Sequence, residues 1–97
     1  MLFLALCADK PGHLPVRLEN RPAHLAYLGT LGDKLRAGGA MLTPDKQSAL
    51  GSMLIFEAET EEEVREWLAA DPYARAGLFE SVEVKPWRQA VGAVKLG

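Results

Sequence analysis

Apolar and polar residues follow two rhythms along this chain. Leu2 to Ala8 is apolar on both of its alternating faces, as in a strand covered on both sides. Gly51 to Ala58 repeats the pattern, with Met53 and Ile55 on one face and Leu54 and Phe56 on the other. Leu78 to Lys85 alternates more strictly, setting Val82 and Val84 against Ser81 and Glu83. A helical period replaces this rhythm in two places. At about 100° per residue, His24, Leu28, Leu31 and Leu35 fall within a wedge of roughly 60°. Val64, Trp67, Leu68 and Asp71 fall within roughly 100° of one another. Each apolar stripe therefore includes one ionisable residue.

Local punctuation sets the expected boundaries. Asp9 to Asn20 holds Pro11, Gly12 and Pro15 and reads as a loop. Asn20 reads as the cap of the first helix, with Pro22 in its first turn. That helix is expected to run to about Ala37 and to stop at Gly38-Gly39. Ala40 to Thr43 reads as a short strand, and Pro44 to Leu50 as a polar loop. Thr60-Glu61-Glu62-Glu63 is a capping box whose acids suit a helix start, so this charge run is assigned to capping rather than to metal binding. The second helix ends near Ala70. Pro86-Trp87 is expected to break the last strand, leaving residues 88–97 as a tail without assigned structure.

The resulting order, β-α-β-β-α-β, predicts an α+β fold, ferredoxin-like, with an antiparallel four-stranded sheet in one domain spanning residues 1–97. Right-handed crossovers put the first and third strands at the centre. Those are the two strands that read apolar on both faces. Two helices cover one sheet face only. The other face calls for a cover, and a second copy of the sheet is the simplest one, so a homodimer packed sheet to sheet is expected.

Composition narrows the function classes. With 48% apolar and 25% charged residues, the chain has the balance of a soluble globular protein. A net charge of -2 offers no attraction to nucleic acid or to an anionic membrane. Met1 to Ala8 has the apolar character of a signal-peptide core but lacks a basic flank, and Asp9-Lys10-Pro11-Gly12 ends it. No stretch approaches the ~20 apolar residues of a membrane span. The single cysteine, Cys7, suits a reducing compartment, and a cytoplasmic location is expected.

The candidate chemistry lies in Arg21-Pro22-Ala23-His24-Leu25 and Asp71-Pro72-Tyr73. A His–Asp pair is a compact proton-transfer device, since the carboxylate fixes the imidazole's tautomer and stabilises its protonated form. His24 near a helix start and Asp71 beside a helix end would each sit in an unfavourable dipole field, and pairing them would offset both. The alternatives are a core histidine bonded to a backbone carbonyl and an aspartate that caps a short turn from Pro72 to Ala76. Capping does not exclude catalysis. Tyr73 is a candidate hydroxyl donor to a phenolic or carbonyl substrate, or an amphipathic edge residue. Arg21 is a candidate for orienting an anionic group, or a surface arginine. Ser52 is a candidate donor from the third strand, or a strand-start residue. Cys7 reads as a small buried hydrophobe and His13 as a solvated loop residue. Two histidines at no ligand spacing and one cysteine make neither a zinc nor an iron site, and no glycine loop cradles a phosphate.

Taken with Gly51-Ser52 and Gly77, these pieces in this order resemble the YciI-like, or YCII-related domain, family over nearly the whole chain. The resemblance implies a dimeric α+β barrel of ferredoxin-like subunits and a site in which His24 and Asp71 match the family's histidine and aspartate. Relatives of this kind include an enzyme that eliminates chloride from a chlorinated hydroxyhydroquinone, and the wider superfamily includes muconolactone isomerases and metal-free monooxygenases. The implied activity is cofactor-independent proton abstraction, with isomerisation or elimination, on a small hydroxylated compound. The alternative is a non-catalytic dimeric module that uses the same cleft to bind a small molecule or a partner. A third reading fills the cleft with side chains and leaves only a structural role.

Overall fold

A computed structural model describes all of residues 1–97. Its elements are β1 (Leu2–Asp9), α1 (Leu14–Thr30), a single 3-10 turn (Gly32–Lys34), β2 (Leu35–Leu42), β3 (Ala49–Glu57), α2 (Glu61–Ala70), α3 (Pro72–Arg75) and β4 (Phe79–Trp87). The four strands form one antiparallel sheet in the order β2-β3-β1-β4, the ferredoxin-like α+β arrangement. The two strands with apolar residues on both faces are the central pair.

Strand pairing sorts the sheet into two faces. Ala5 lies opposite Leu54 and Val84, and Phe3 lies opposite Phe56, so these residues share a face. With Cys7 they pack against Val64 and Leu68 of α2, and Leu28, Leu31 and Trp67 close the edge of this core. The opposite face carries Leu4 beside Ile55 and Leu6 beside Met53. No helix covers it, and Met53 is 44% exposed.

The first helix departs from the sequence expectation. It begins near Pro15, which occupies its first turn, and Pro22 lies inside it. Asn20 is not a cap; its side-chain amide donates to the Val16 carbonyl. Both prolines satisfy the local rule for a helix start. An interior proline withholds one backbone N–H, so sequence alone favours the later start, and tertiary contacts from Arg17 override that preference. The helix ends at Thr30, followed by Gly32 at φ 56. His24 is therefore mid-helix, and the dipole argument for its first-turn position does not apply.

β2 is correspondingly longer than expected and includes Gly38 and Gly39. Gly38 lies opposite Leu54, and a Cβ there would stand 2.6 Å from Leu54 Cδ2. The glycine makes room for a core leucine instead of stopping a helix. Pro86 does not break β4, which continues to Trp87. β4 is an edge strand, where the missing N–H costs no ladder bond. The capping box is formed as read, with Glu63 N–H donating to Thr60 Oγ1 and Glu63 Oε1 accepting from Thr60 N–H, both at 3.3 Å. Residues after Trp87 form neither helix nor strand, and Gln89 ties them together through Val91, Val94 and Leu96.

Candidate active site

The 3.6-residue period places Arg17, Arg21, His24 and Leu28 on one face of α1. That face looks across to the β2–β3 side of the sheet, and a cleft of about 380 Å³ lies between them. Arg21, His24, Leu28, Leu54, Ser52 and Tyr73 are among its lining residues. Asp71 stands behind it and is only 1% exposed.

His24 and Asp71, 47 residues apart, meet here. The Nδ1 of His24 lies 2.8 and 2.9 Å from the two carboxylate oxygens of Asp71. A carboxylate only accepts, so Nδ1 carries a proton, and in the neutral imidazole Nε2 then holds the lone pair. No buried side-chain polar atom lacks a partner. Nε2 is bonded to nothing in the protein, so it lies on the accessible, cleft side of the ring.

Asp71 holds its position through the backbone. It ends α2 and caps α3, its Oδ1 accepting from Tyr73 N–H at 2.9 Å. The capping and pairing roles foreseen for it coexist in one side chain. Tyr73 in turn stacks on His24, with ring centres 3.8 Å apart and planes 11° from parallel. Burial pushes the Tyr73 phenol above its ordinary value; nearby Arg17 and Arg21 oppose that rise, and Asp71 and Asp9 add to it. The hydroxyl therefore stays a donor through the neutral range.

Two residues that sequence reasoning left in a loop complete the cluster. Arg17 donates from Nε to Asp9 Oδ2 at 2.7 Å and from Nη2 to Asp9 Oδ1 at 3.1 Å. The same Nη2 donates to Ser52 Oγ at 2.8 Å. Its guanidinium lies 4.7 Å from the Tyr73 ring centre. Burial works against the charge on Arg17, but the hydrogen bonds and charge of Asp9 outweigh it and hold the group above its ordinary value. A bulge after Ala8 turns the strand at Asp9, the point where this pair forms. The i, i+4, i+7 spacing of Arg17, Arg21 and His24 was the available signal, hidden by the late helix start.

The remaining expected residues are placed as follows. Ser52 is buried, and its oxygen is engaged by Arg17. Arg21 is exposed at the cleft and faces no carboxylate within ion-pair distance. Cys7 is fully buried beside Ser52, and burial foremost pushes its thiol up to about 12. His13 sits just before α1, with Nδ1 3.0 Å from the Pro11 carbonyl oxygen. A larger groove of about 590 Å³ lies at the other end of β1, between Leu2, Trp87 and the tail, away from all of these groups. No three His, Cys, Asp or Glu side chains converge anywhere. The cleft offers arginine, histidine, tyrosine and serine groups beside leucines, a set suited to a small anionic or hydroxylated molecule.

Comparison with known proteins agrees with the fold. The YCII-related domain family matches residues 1–88. Protein YciI of Escherichia coli is 40% identical over 96 residues, covering 92% of this chain and 98% of that protein. Among solved structures, 5-chloro-2-hydroxyhydroquinone dehydrochlorinase from Burkholderia phenoliruptrix, in complex with 2,5-dihydroxybenzoquinone, superposes with a TM-score of 0.85 at 42% identity. That match covers 93% of this chain and 96% of the dehydrochlorinase. SnoaB, a cofactor-independent oxygenase from Streptomyces nogalater, shares the fold at a TM-score of 0.56 and 11% identity, over 93% of this chain and 94% of its own.

Proposed function

This chain belongs to the YCII-related domain family, and from that premise we propose that it is a cofactor-independent enzyme transferring a proton on a small hydroxylated molecule. His24 is the general base and acid, Asp71 its orienting partner, and Arg21, Ser52 and Tyr73 line the substrate site. The observation that carries this reading is the doubly held Nδ1 of His24, with Nε2 left free toward the cleft. Nε2 takes a proton from the substrate, and the imidazolium so formed is stabilised by the buried Asp71 carboxylate. The same nitrogen returns the proton at another atom or to a departing group. Elimination and isomerisation both follow from that sequence of steps. The dehydrochlorinase similarity favours a hydroxylated ring as substrate.

The reading includes a homodimer, joined through the helix-free face that carries Leu4, Leu6 and Met53, and a cytoplasmic location in which Cys7 stays a thiol. No helix is long and apolar enough to cross a membrane.

The test is chloride release from 5-chloro-2-hydroxyhydroquinone by the wild type, His24→Ala and Asp71→Asn. Turnover by the wild type that falls about 10²- to 10⁴-fold in His24→Ala supports the proposal. Binding of the compound without His24-dependent turnover replaces it with a non-catalytic binding module.

A further inference from the structure

Removing a proton next to a carbonyl leaves negative charge on oxygen, and a base alone does nothing for that charge. The cleft holds a group suited to it. Arg17 is only 5% exposed. Its Nε and Nη2 hydrogens are committed to Asp9 and Ser52. The Tyr73 hydroxyl lies near the guanidinium and helps hold its charge, but Nη1 makes no hydrogen bond of its own, and no buried side-chain polar atom is left without a partner. Nη1 therefore reaches the accessible surface, and the accessible surface beside Arg17 is the cleft. The guanidinium and the His24 imidazole both contact the single Tyr73 ring. Both residues also line the one cleft, where a single planar ligand can meet them.

The geometry points to Arg17 as the electrophile of the site, its Nη1 binding the oxygen that becomes negative when His24 Nε2 removes a proton. The substrate class is an enolisable hydroxy-carbonyl or quinone-type compound that reacts through an enolate. In that step the C–H or O–H pair moves into the neighbouring bond, and the carbonyl π pair moves onto oxygen. The proton rests on His24 until it is returned at another atom, so the step is redox-neutral and needs no co-reactant. Asp9 and Ser52 fix the guanidinium in the plane of its fork, which a flexible ammonium does not reproduce. Arg21, free of any carboxylate partner, adds a second guanidinium at the cleft.

This inference rests on the proton-transfer reading for its chemistry, but its test does not require turnover. The probes are 2,5-dihydroxybenzoquinone, a delocalised anion near neutral pH that mimics such an enolate, and hydroquinone, which is neutral there. Affinities are measured by calorimetry on the wild type, Arg17→Lys and His24→Gln. Because Arg17→Lys strains a buried pair, the double variant Asp9→Asn/Arg17→Gln, which leaves no unpaired charge, is measured beside it. We expect the anion to bind the wild type more tightly than hydroquinone does, and both Arg17 variants to lose about tenfold or more for the anion. Hydroquinone affinity should change less than threefold. Equal anion affinity in the wild type and both Arg17 variants overturns the assignment. A parallel loss for both probes also overturns it, reducing Arg17 to a structural brace. Discrimination by Arg17 that persists in His24→Gln upholds the anion site even if His24-dependent turnover is never found, so the two readings fail separately.

Discussion

Asp71 carries two duties that a single substitution separates. Its carboxylate accepts from Tyr73 N–H and from His24 Nδ1–H. Asparagine keeps an acceptor for the cap but removes the charge that stabilises imidazolium. Asp71→Asn should therefore remain folded while turnover falls in the range expected for His24→Ala. Asp71→Ala should lose a further ~1 kcal/mol of stability through the cap, read by urea unfolding. Tyr73 makes a pH prediction. Its folded-state value is raised, so it contributes stability below its ordinary value near 10 and loses it as pH climbs through the higher folded value. Wild-type stability should fall in that alkaline window more steeply than that of Tyr73→Phe, measured by thermal melts at stepped pH. Cys7, pushed up to about 12 chiefly by burial, should resist thiol-modifying reagents at pH 8 until the chain is unfolded.

The elements differ in how openly the sequence declared them. β1 and β3 were legible because burial on both faces leaves an uninterrupted apolar run. α2 was legible because its capping box is a purely local device. His24 and Asp71 were each legible as an ionisable residue set among apolar ones, although the stripe drawn through His24 failed, since α1 ends at Thr30 and Leu35 belongs to β2. α1 was not, since Pro15 and Pro22 compete for one local role and only the long-range bonds of Arg17 to Asp9 and Ser52 decide between them. Misplacing that start hid Arg17 and Asp9 from view. Gly38-Gly39 misled for a similar reason, because a missing side chain reads alike whether it ends a helix or admits a neighbour. Two substitutions follow. Pro22→Ala restores a backbone N–H within α1 and should raise stability by about 2 kcal/mol, the helix gain less the entropy proline removes from the unfolded chain. Gly38→Ala drives a methyl group into Leu54 and should cost about 1–3 kcal/mol.

At the scale of the molecule, one sheet keeps two accounts of surface. Its helix-bearing face supplies Ser52 and Leu54 to the cleft, and its bare face presents Leu6 and Met53. Met53→Lys should abolish the proposed dimer, measured by light scattering, while leaving the anion affinity of the cleft within twofold. Because strand residues alternate, neighbours in sequence such as Ser52 and Met53 serve opposite faces. Substitutions at the two faces should then combine additively. A lineage carrying this sheet is free to retune its subunit contacts by one set of mutations and its substrate preference by another, each inherited without penalty to the other.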